Sequence, residues 1–479
     1  MKVVLLGLNG SWSHTNLALR CLREPLEREG FETVLLEYTV KDRSAHVLQA
    51  LYEEQADVYG FSCYIWNLPQ MLSLAQSLHQ LLPACRIVLG GPEVSHDTQR
   101  FDDFRWIDCI ICGEGEESWP ALCRAIRDSS SYERIIQGGK PRVMEDEGIL
   151  YRNGETCGGI LYYESSRGCP YSCGYCLSSA TTGVRFKSVE QTLTDLEAFE
   201  ALQVECRIIK LVDRTFNANV ERANRIWEAL LSPKFTKQYH FEVCASLLNE
   251  ESFRILEQFP KGKVQLEFGL QSTNPETLKA VSRHIEPQKV IKAVGRIKKM
   301  GNIHVHLDLI AGLPYEDYRS FGRSFNDSYG CCDLLQLGFL KLLHGTKLRA
   351  QAEEYGYVAL PDPPYTVLQS KWLSYPEMMR LHHIAEALER FEESGRFQRS
   401  LKLVMQQVES PFAFWEGLCE FLAQKDPRPL QKLSQPDVYR YFLEYAGQGL
   451  SEEQLAQLKT CLAEEFSQHE HKHPPYFLR

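Results

Sequence analysis

Cys169-Pro-Tyr-Ser-Cys173-Gly-Tyr-Cys176 is the segment of this chain whose residue types and spacing point most directly to chemistry. Three cysteines separated by three and then two residues, in a short loop containing Pro and Gly, can wrap three corners of a 4Fe-4S cube. Full thiolate ligation takes four cysteines, so the motif leaves one iron open to another ligand. A structural zinc site is the rival for the same residues. Zinc asks for four tetrahedral ligands, and the nearest further cysteines are Cys157 upstream and Cys206 downstream, with no histidine close in sequence. The chain has 16 cysteines in all. Most of the others, including Cys21, Cys85, Cys123, Cys244, Cys419 and Cys461, stand singly in apolar stretches and read as small buried side chains.

Two further groups depend on strand periodicity. In VQLEFGLQS, Glu267, Gly269 and Gln271 fall on one face of a strand, and in HVHLDLIAGLP so do His304, His306 and Asp308. Two polar strand faces turned into a barrel would need a polar ligand, which makes His304, His306 and Asp308 a candidate substrate site. The H-x-H pair also suits a metal, although no third ligand is evident, and a solvent-exposed strand edge is the plainer alternative. A third group lies at the ends of apolar runs: Asn9, Ser62, Gly90-Gly91-Pro92-Glu93 and Gly113-Glu114-Gly115-Glu116. Small residues there let a ligand approach the backbone; helix-capping turns explain them equally well.

Taken in order, these features resemble a cobalamin-binding-domain-containing radical S-adenosylmethionine (radical SAM) enzyme. The cysteine loop follows the first strand of a βα series, as in that superfamily. Tyr175 stands before the last cysteine, where an aromatic residue near the adenine is common. Glu267-x-Gly269-x-Gln271-Ser272 resembles the fourth-strand pattern, and Gly312-Leu313-Pro314 resembles the fifth-strand turn. Leu343-His344-Gly345-Thr346 resembles a later L-P-G-T segment, with His344 in place of Pro. The usual Gly-Gly-Glu after the second strand is absent, and Asp213-Arg214-Thr215-Phe216 stands there instead. The resemblance implies S-adenosylmethionine contacts at Tyr175, Asp213, Glu267, Gln271, Ser272 and Leu313, and covers about 162–346.

Residues 1–127 resemble the cobalamin-binding domain that precedes such barrels, through the G-G-P and G-E-G-E segments. The implied cobalamin contacts are Asn9, Trp12, Ser62, Gly90, Gly91, Pro92, Gly113, Glu114 and Gly115. Of the cobalt-ligating D-x-H-x-x-G motif only His14 survives, with Trp12 and Leu17 replacing Asp and Gly, so histidine ligation is not expected. The implied cofactors are a 4Fe-4S cluster, S-adenosylmethionine and cobalamin. The implied chemistry is reductive cleavage to a 5′-deoxyadenosyl radical acting on an unidentified small molecule or peptide, with methylation of carbon the commonest outcome. A low-potential electron donor such as flavodoxin or ferredoxin is implied as partner. Radical chemistry with a vestigial cobalamin domain is one alternative and a non-enzymatic redox or cobalamin sensor another; no DNA-binding module or basic tail favours the sensor.

The elements that must position these groups follow from apolar periodicity. Five Val/Ile/Leu-rich runs within 2–128 alternate with helix-length segments such as 69–82, which predicts a flavodoxin-like doubly wound domain with its ligand beyond the carboxyl ends of the strands. Residues 129–160 read as a linker with a hairpin turning at Arg152-Asn-Gly-Glu155. Six βα units over 161–350 predict a partial (β/α)6 barrel with its site at the strands' carboxyl ends. Residues 351–479 read as a helical region, with amphipathic helices over 376–394 and 451–468. With 479 residues the chain is too long for one core, and a net charge of −10 disfavours general binding to a nucleic-acid backbone. No apolar run reaches membrane-spanning length and the start lacks a signal-peptide pattern, so a cytoplasmic location is expected.

Overall fold

The computed structural model describes residues 1–139, 148–155, 158–180 and 183–478. The amino-terminal sheet has six parallel strands: β1 (Lys2–Asn9), β2 (Glu32–Thr39), β3 (Val58–Ser62), β4 (Arg86–Gly90), β5 (Cys109–Cys112) and β6 (Ile135–Gln137). Their order is β2-β1-β3-β4-β5-β6. Both faces are buried, with Val4, Leu6, Tyr59 and Ile87 on one side and Val3, Leu5, Val88 and Trp119 on the other. This is why the strands read as unbroken apolar runs rather than alternating ones. The sixth strand corrects the sequence expectation: residues 129–160 are not simply a linker. β6 pairs with β5 from Ile110↔Ile135 to Cys112↔Gln137, and further on Leu150 and Tyr151 are buried. Arg23 binds Glu155 at 2.6 Å, fastening this return segment to the helix Leu17–Arg28. The Arg152–Glu155 turn forms; the second arm of the expected hairpin, at Thr156 and Cys157, lies outside the described residues.

The second sheet comprises β7 (Ile160–Tyr163), β10 (Ile208–Leu211), β11 (Gln238–Glu242), β12 (Val264–Gln271), β13 (His304–Ala311) and β14 (Leu334–Phe339). Between its first two strands, β8 (Ser166–Gly168) and β9 (Val184–Phe186) form a small antiparallel pair flanking the cysteine loop. The large sheet is parallel throughout, in the order β14-β13-β12-β11-β10-β7. β7 and β14 are its two edges, so the barrel is partial. Along β12 and β13 buried and half-buried residues alternate. Leu266, Phe268, Leu307 and Leu309 enter the core under the outer helices, and the polar set faces the other way, into the lumen.

After β14 the chain is less uniformly helical than its sequence suggests. A hairpin, β15 (Val358–Ala359) and β16 (Val367–Gln369), precedes the helices. These are Tyr375–Ala387, continued by a π-helical turn over Leu388–Glu393, then Gln398–Met405, Pro411–Lys425, Gln435–Ala446 and Glu452–Glu470. The helices pack on the barrel: Phe412 lies against Tyr318, Phe321 and Phe325 of the barrel helix Tyr318–Ser328. No helix among the described residues is long and apolar enough to cross a membrane.

Candidate active site

The cysteine loop is held from both sides through Gly174. Gly174 N donates to Val281 O at 2.9 Å, and Leu348 N donates to Gly174 O at 3.0 Å. The base of the loop is fixed by Asp213, which accepts from Ser165 N at 3.1 Å, Ser165 Oγ at 2.7 Å and Ser166 Oγ. Cys173 is buried and Cys169 and Cys176 are half-exposed. Among the described residues no three His, Cys, Asp or Glu side chains converge on one point; a cubane asks for thiolates spread over separate corners.

Beneath the loop lies Arg283. Its guanidinium donates to Gly269 O and to Tyr175 Oη at 3.4 Å, and it reaches Cys173 Sγ at 3.6 Å. Burial opposes its charge, but Tyr175 and Cys173 together hold the arginine more firmly protonated than usual. The bulge after Gly269, with Gln271 in the left-handed region at φ 73°, folds the Gln271 side chain back across Gly269; a Cβ added there would collide with Gln271 Nε2. Gln271 therefore stays on the lumen side despite the broken alternation.

Strand register sorts the lumen into rows. Tyr162, Lys210, His240, Gln265 and His304 align across five strands. Glu242, Glu267 and His306 form the next row, and Gly269, Asp308 and Gln336 the one above. Within them Glu267 Oε2 binds His240 Nε2 at 2.9 Å and Lys210 Nζ at 3.3 Å. The His240 bond, with Lys210 adding charge, pulls the Glu267 carboxyl down to about 2. Asp308 behaves oppositely: burial, reinforced by the Glu267 and Glu242 carboxylates, pushes it up to about 8. Burial and Glu267 also raise Glu242. His306, buried beside His304 and His240, is lowered to about 4 and is a neutral imidazole. Two adjacent strands, β12 and β13, thus present a fixed anion, a carboxylic acid and a neutral imidazole on one sheet face.

Three sequence expectations are corrected here. Asp213 is fully buried and spends its oxygens on the serines of the loop base, so it does not face the mouth. Ser272 is also fully buried, and its Oγ donates to Glu316 Oε1 at 2.7 Å. His304 opens β13 at the end opposite the mouth, exposed and 3.7 Å from Asp333, which leaves His306 and Asp308 as the lumen pair. Leu313 is buried in the turn after Gly312. Sequence reasoning missed Lys210, His240, Glu242 and Arg283. His240 and Glu242 carried a signal, polar residues at alternate positions of HFE; Lys210, a single polar residue between Ile209 and Leu211, and Arg283, in a loop after the short helix Pro275–Ala280, carried none.

In the amino-terminal domain, Asn9 and Ser62 are buried at strand ends. Asn9 Nδ2 donates to His14 O at 3.0 Å. Gly91 has φ 108° and abuts Cys63 O, 2.5 Å from where a Cβ would stand, so the turn after Gly90 admits no side chain there. Pro92 and Gly113 are exposed, and Trp12 is 77% exposed. Gly115 packs under Trp119 and Leu22. Glu114 does not project freely: it pairs with Arg185 and, at 3.1 Å, with Arg167, which also binds Glu116 at 2.7 Å.

Residues 4–123 match the B12 binding domain family and residues 163–327 the Radical SAM superfamily. This chain is a cobalamin-binding-domain-containing radical SAM protein. Residues 353–479 match a family described as protein of unknown function (DUF4080). Among curated relatives, the chain is 26% identical over 349 residues to the cobalamin-dependent radical SAM methyltransferase TokK of Streptomyces tokunonensis, covering 65% of this chain and 51% of that protein. It is 25% identical over 328 residues to the hopanoid C-3 methylase of Methylococcus capsulatus, covering 63% and 62%. The chain thus spans between about half and three fifths of these relatives. Its fold is that of the radical SAM methyltransferase TsrM from Kitasatospora setae (TM-score 0.62, 16% identity, 76% and 78% covered). It is equally that of the cobalamin-dependent radical enzyme OxsB (TM-score 0.62, 15% identity, 98% and 80% covered).

The family's cofactors are a 4Fe-4S cluster, S-adenosylmethionine and cobalamin, and the residues present fit them. Three cysteines lie on one fixed loop, with Cys173 against Arg283. Around the lumen, Arg283 Nε, Gln271 Oε1 and Asp308 Oδ1 are buried with no partner among the described residues. Orphaned buried groups of this kind cost roughly 1–3 kcal/mol each, a cost that a polar ligand lying among them removes.

Proposed function

We propose that this chain is a methyltransferase acting on a carbon of a polar substrate held in the barrel lumen. The observation that carries the reading is the succession of cysteine loop, Arg283 and polar rows along a single lumen. When bound, the cluster, S-adenosylmethionine and cobalamin supply one-electron cleavage and methyl transfer. The chain's own residues do the rest. Cys169, Cys173 and Cys176 would hold the cluster. Arg283, kept charged beside Cys173, offers donors to an anionic group such as the methionyl carboxylate, with Gln271 and Tyr175 at its sides. Glu267, fixed as an anion by His240 and Lys210, accepts hydrogen bonds. Asp308 keeps a proton at neutral pH and can donate one, while neutral His306 offers both a donor and an acceptor. A lumen lined by Lys210, His240, Glu242, Glu267, His306 and Asp308 supports a substrate rich in hydrogen-bonding groups rather than a hydrocarbon, which would leave these groups unpaired.

The test is anaerobic reconstitution followed by analysis and turnover. Wild-type protein is expected to hold about four irons and four sulfides per chain and, with a reductant and S-adenosylmethionine, to release 5′-deoxyadenosine. Replacing Cys169, Cys173 and Cys176 together with Ala should abolish both. A full cluster retained in that variant, or stoichiometric zinc in the wild type, would overturn the assignment. Methylation predicts S-adenosylhomocysteine as a second product that requires cobalamin; its absence with the cognate substrate would reject methyl transfer while leaving the radical step standing.

A further inference from the structure

Arg283 reaches the cysteine loop from outside the motif, and each nitrogen of its guanidinium meets a different fate. Nη2 donates to Gly269 O on β12. Gly269 leaves room for this contact, since a Cβ there would lie 3.3 Å from Nη2. Nη1 is shared between Tyr175 Oη at 3.4 Å and Cys173 Sγ at 3.6 Å. Nε is shut from solvent with no partner among the described residues. The fork is therefore anchored on a strand carbonyl with one N–H aimed at a cysteine sulfur. What this arginine lacks is an anion. The groups that bear on its charge are Tyr175, Cys173 and Cys244, and no carboxylate pairs with it among the described residues. Asp308, raised to about 8 chiefly by burial, carries little negative charge at neutral pH. Shielded arginines elsewhere in the chain, such as Arg20, Arg23 and Arg167, lie against glutamates, as a cation removed from water requires. At Arg283 the matching anion is the one the three cysteines would hold. A cluster bearing three thiolates is net negative, and reduction adds to that charge.

We propose that Arg283 sets the reduction potential of the cluster by holding a positive charge and an N–H donor against the Cys173 sulfur. The inference rests on the cluster assignment above. Hydrogen bonds to ligand sulfurs and the net charge around a cluster both enter its potential. In the reductive step one electron passes to the cluster from a low-potential one-electron donor; no bond forms or breaks, and negative charge on the thiolates grows. Arg283 attracts the reduced state more strongly than the oxidised one and so favours reduction. Acting through Cys173, it is a positioning residue for the electron. Its unpartnered Nε is left for the anionic group proposed above, so the two roles use different edges of one guanidinium.

The test is a redox titration of reconstituted protein without S-adenosylmethionine, poised with dithionite through viologen mediators. Electron paramagnetic resonance reads the reduced cluster. Arg283→Gln removes the charge. At a fixed potential its ratio of reduced to oxidised cluster should fall about tenfold, a midpoint about 59 mV lower. Arg283→Lys keeps the charge and should lie nearer the wild type. Iron and sulfide content should match the wild type in both. An unchanged midpoint in the glutamine variant at full iron content would overturn the proposal. Should that variant hold less than a full cluster, wild-type protein labelled with nitrogen-15 arginine decides. Pulsed resonance of its reduced cluster should show a coupled arginine nitrogen that Arg283→Lys lacks, and no such nitrogen in the wild type would equally overturn the proposal. Wild-type protein that reconstitutes no 4Fe-4S signal would instead reject the cluster assignment.

Discussion

At the scale of single residues the lumen behaves as a set of paired and unpaired charges, and pH distinguishes them. Asp308 is raised to about 8 in the folded chain, against an unfolded value of roughly 3.9. The folded state therefore binds the extra proton, and stability contributed by Asp308 is greatest below about pH 4 and falls as pH rises toward 8. Asp308→Asn removes that penalty. It should raise apoprotein stability by up to about 5 kcal/mol at pH 7.5, and the gain should vanish near pH 4; thermal unfolding of both proteins across that range checks it. A pH-independent difference would show that Asp308 is not held protonated. The same lumen shows what sequence carries at this scale. Glu267, His306 and Asp308 were legible because a strand alternates its faces with period two. Arg283 was not, because its approach to Cys173 is set by a loop, and nothing in Val-Ser-Arg-His-Ile marks which way a loop side chain turns. Asp213 and Ser272 were legible as polar residues near strand ends, but not as groups already satisfied by Ser165, Ser166 and Glu316.

Secondary-structure elements were read well where burial imposes a pattern and poorly where it does not. The strands of the amino-terminal sheet are Val/Ile/Leu runs because helices cover both faces, those of the barrel alternate because one face lines the lumen, and the helix Pro287–Met300 is opened by Pro and closed by Gly301 in the left-handed region. β6 has only three residues, too short for alternation to register, and β15 and β16 are no longer, with two and three. The helix over 411–425 lacks a clean amphipathic stripe because it packs on both the barrel helix Tyr318–Ser328 and the neighbouring carboxy-terminal helices, and those over 398–405 and 435–446 pack against other carboxy-terminal helices. The turn after β4 is the element on which a ligand-binding role depends most. Gly91→Ala would force a Cβ to within 2.5 Å of Cys63 O at a φ of 108°, so the turn would have to move. The substitution should destabilise the amino-terminal domain by roughly 1–3 kcal/mol and lower cobalamin retention after anaerobic reconstitution, with the iron content unchanged. Cobalamin retained at the wild-type level in a folded Gly91→Ala variant would remove this turn from the site.

At the scale of the whole molecule, the carboxyl-end loops of the amino-terminal sheet are fastened to the regions that follow. The loop after β1 runs beside the edge of the barrel: Ile160 N donates to Ser13 O at 3.2 Å, and His14 Nδ1 lies 2.5 Å from Tyr162 Oη. His14 is thus already engaged, and Co(II) protein should show no protein nitrogen superhyperfine splitting by electron paramagnetic resonance, with His14→Ala unchanged. The loop after β5 is bound to Arg167 and Arg185. The loop after β4 is bound to the carboxy-terminal region. Buried Glu93 accepts from Tyr365 Oη at 2.6 Å and pairs with Arg100 at 3.0 Å, while Arg100 also donates to Tyr365 Oη at 2.8 Å. His344, in the segment after β14, meets Asp97 at 3.1 Å close by. Glu93 follows Gly90-Gly91-Pro92 directly, so a hydroxyl more than 270 residues away in sequence holds the turn that would meet cobalamin. Tyr365→Phe keeps the packing of the ring and deletes only the hydroxyl. Glu93 then loses its buried partner and keeps only the half-buried Arg100, at a cost on the order of 1 kcal/mol. If that cost is borne by the turn rather than by the domain at large, the cobalamin dissociation constant should rise about three- to tenfold, while iron content and the melting temperature of the cobalamin-free protein change little. Equal losses in melting temperature and cobalamin affinity would make Tyr365 a general stabiliser. Unchanged affinity would separate the carboxy-terminal region from cobalamin binding altogether.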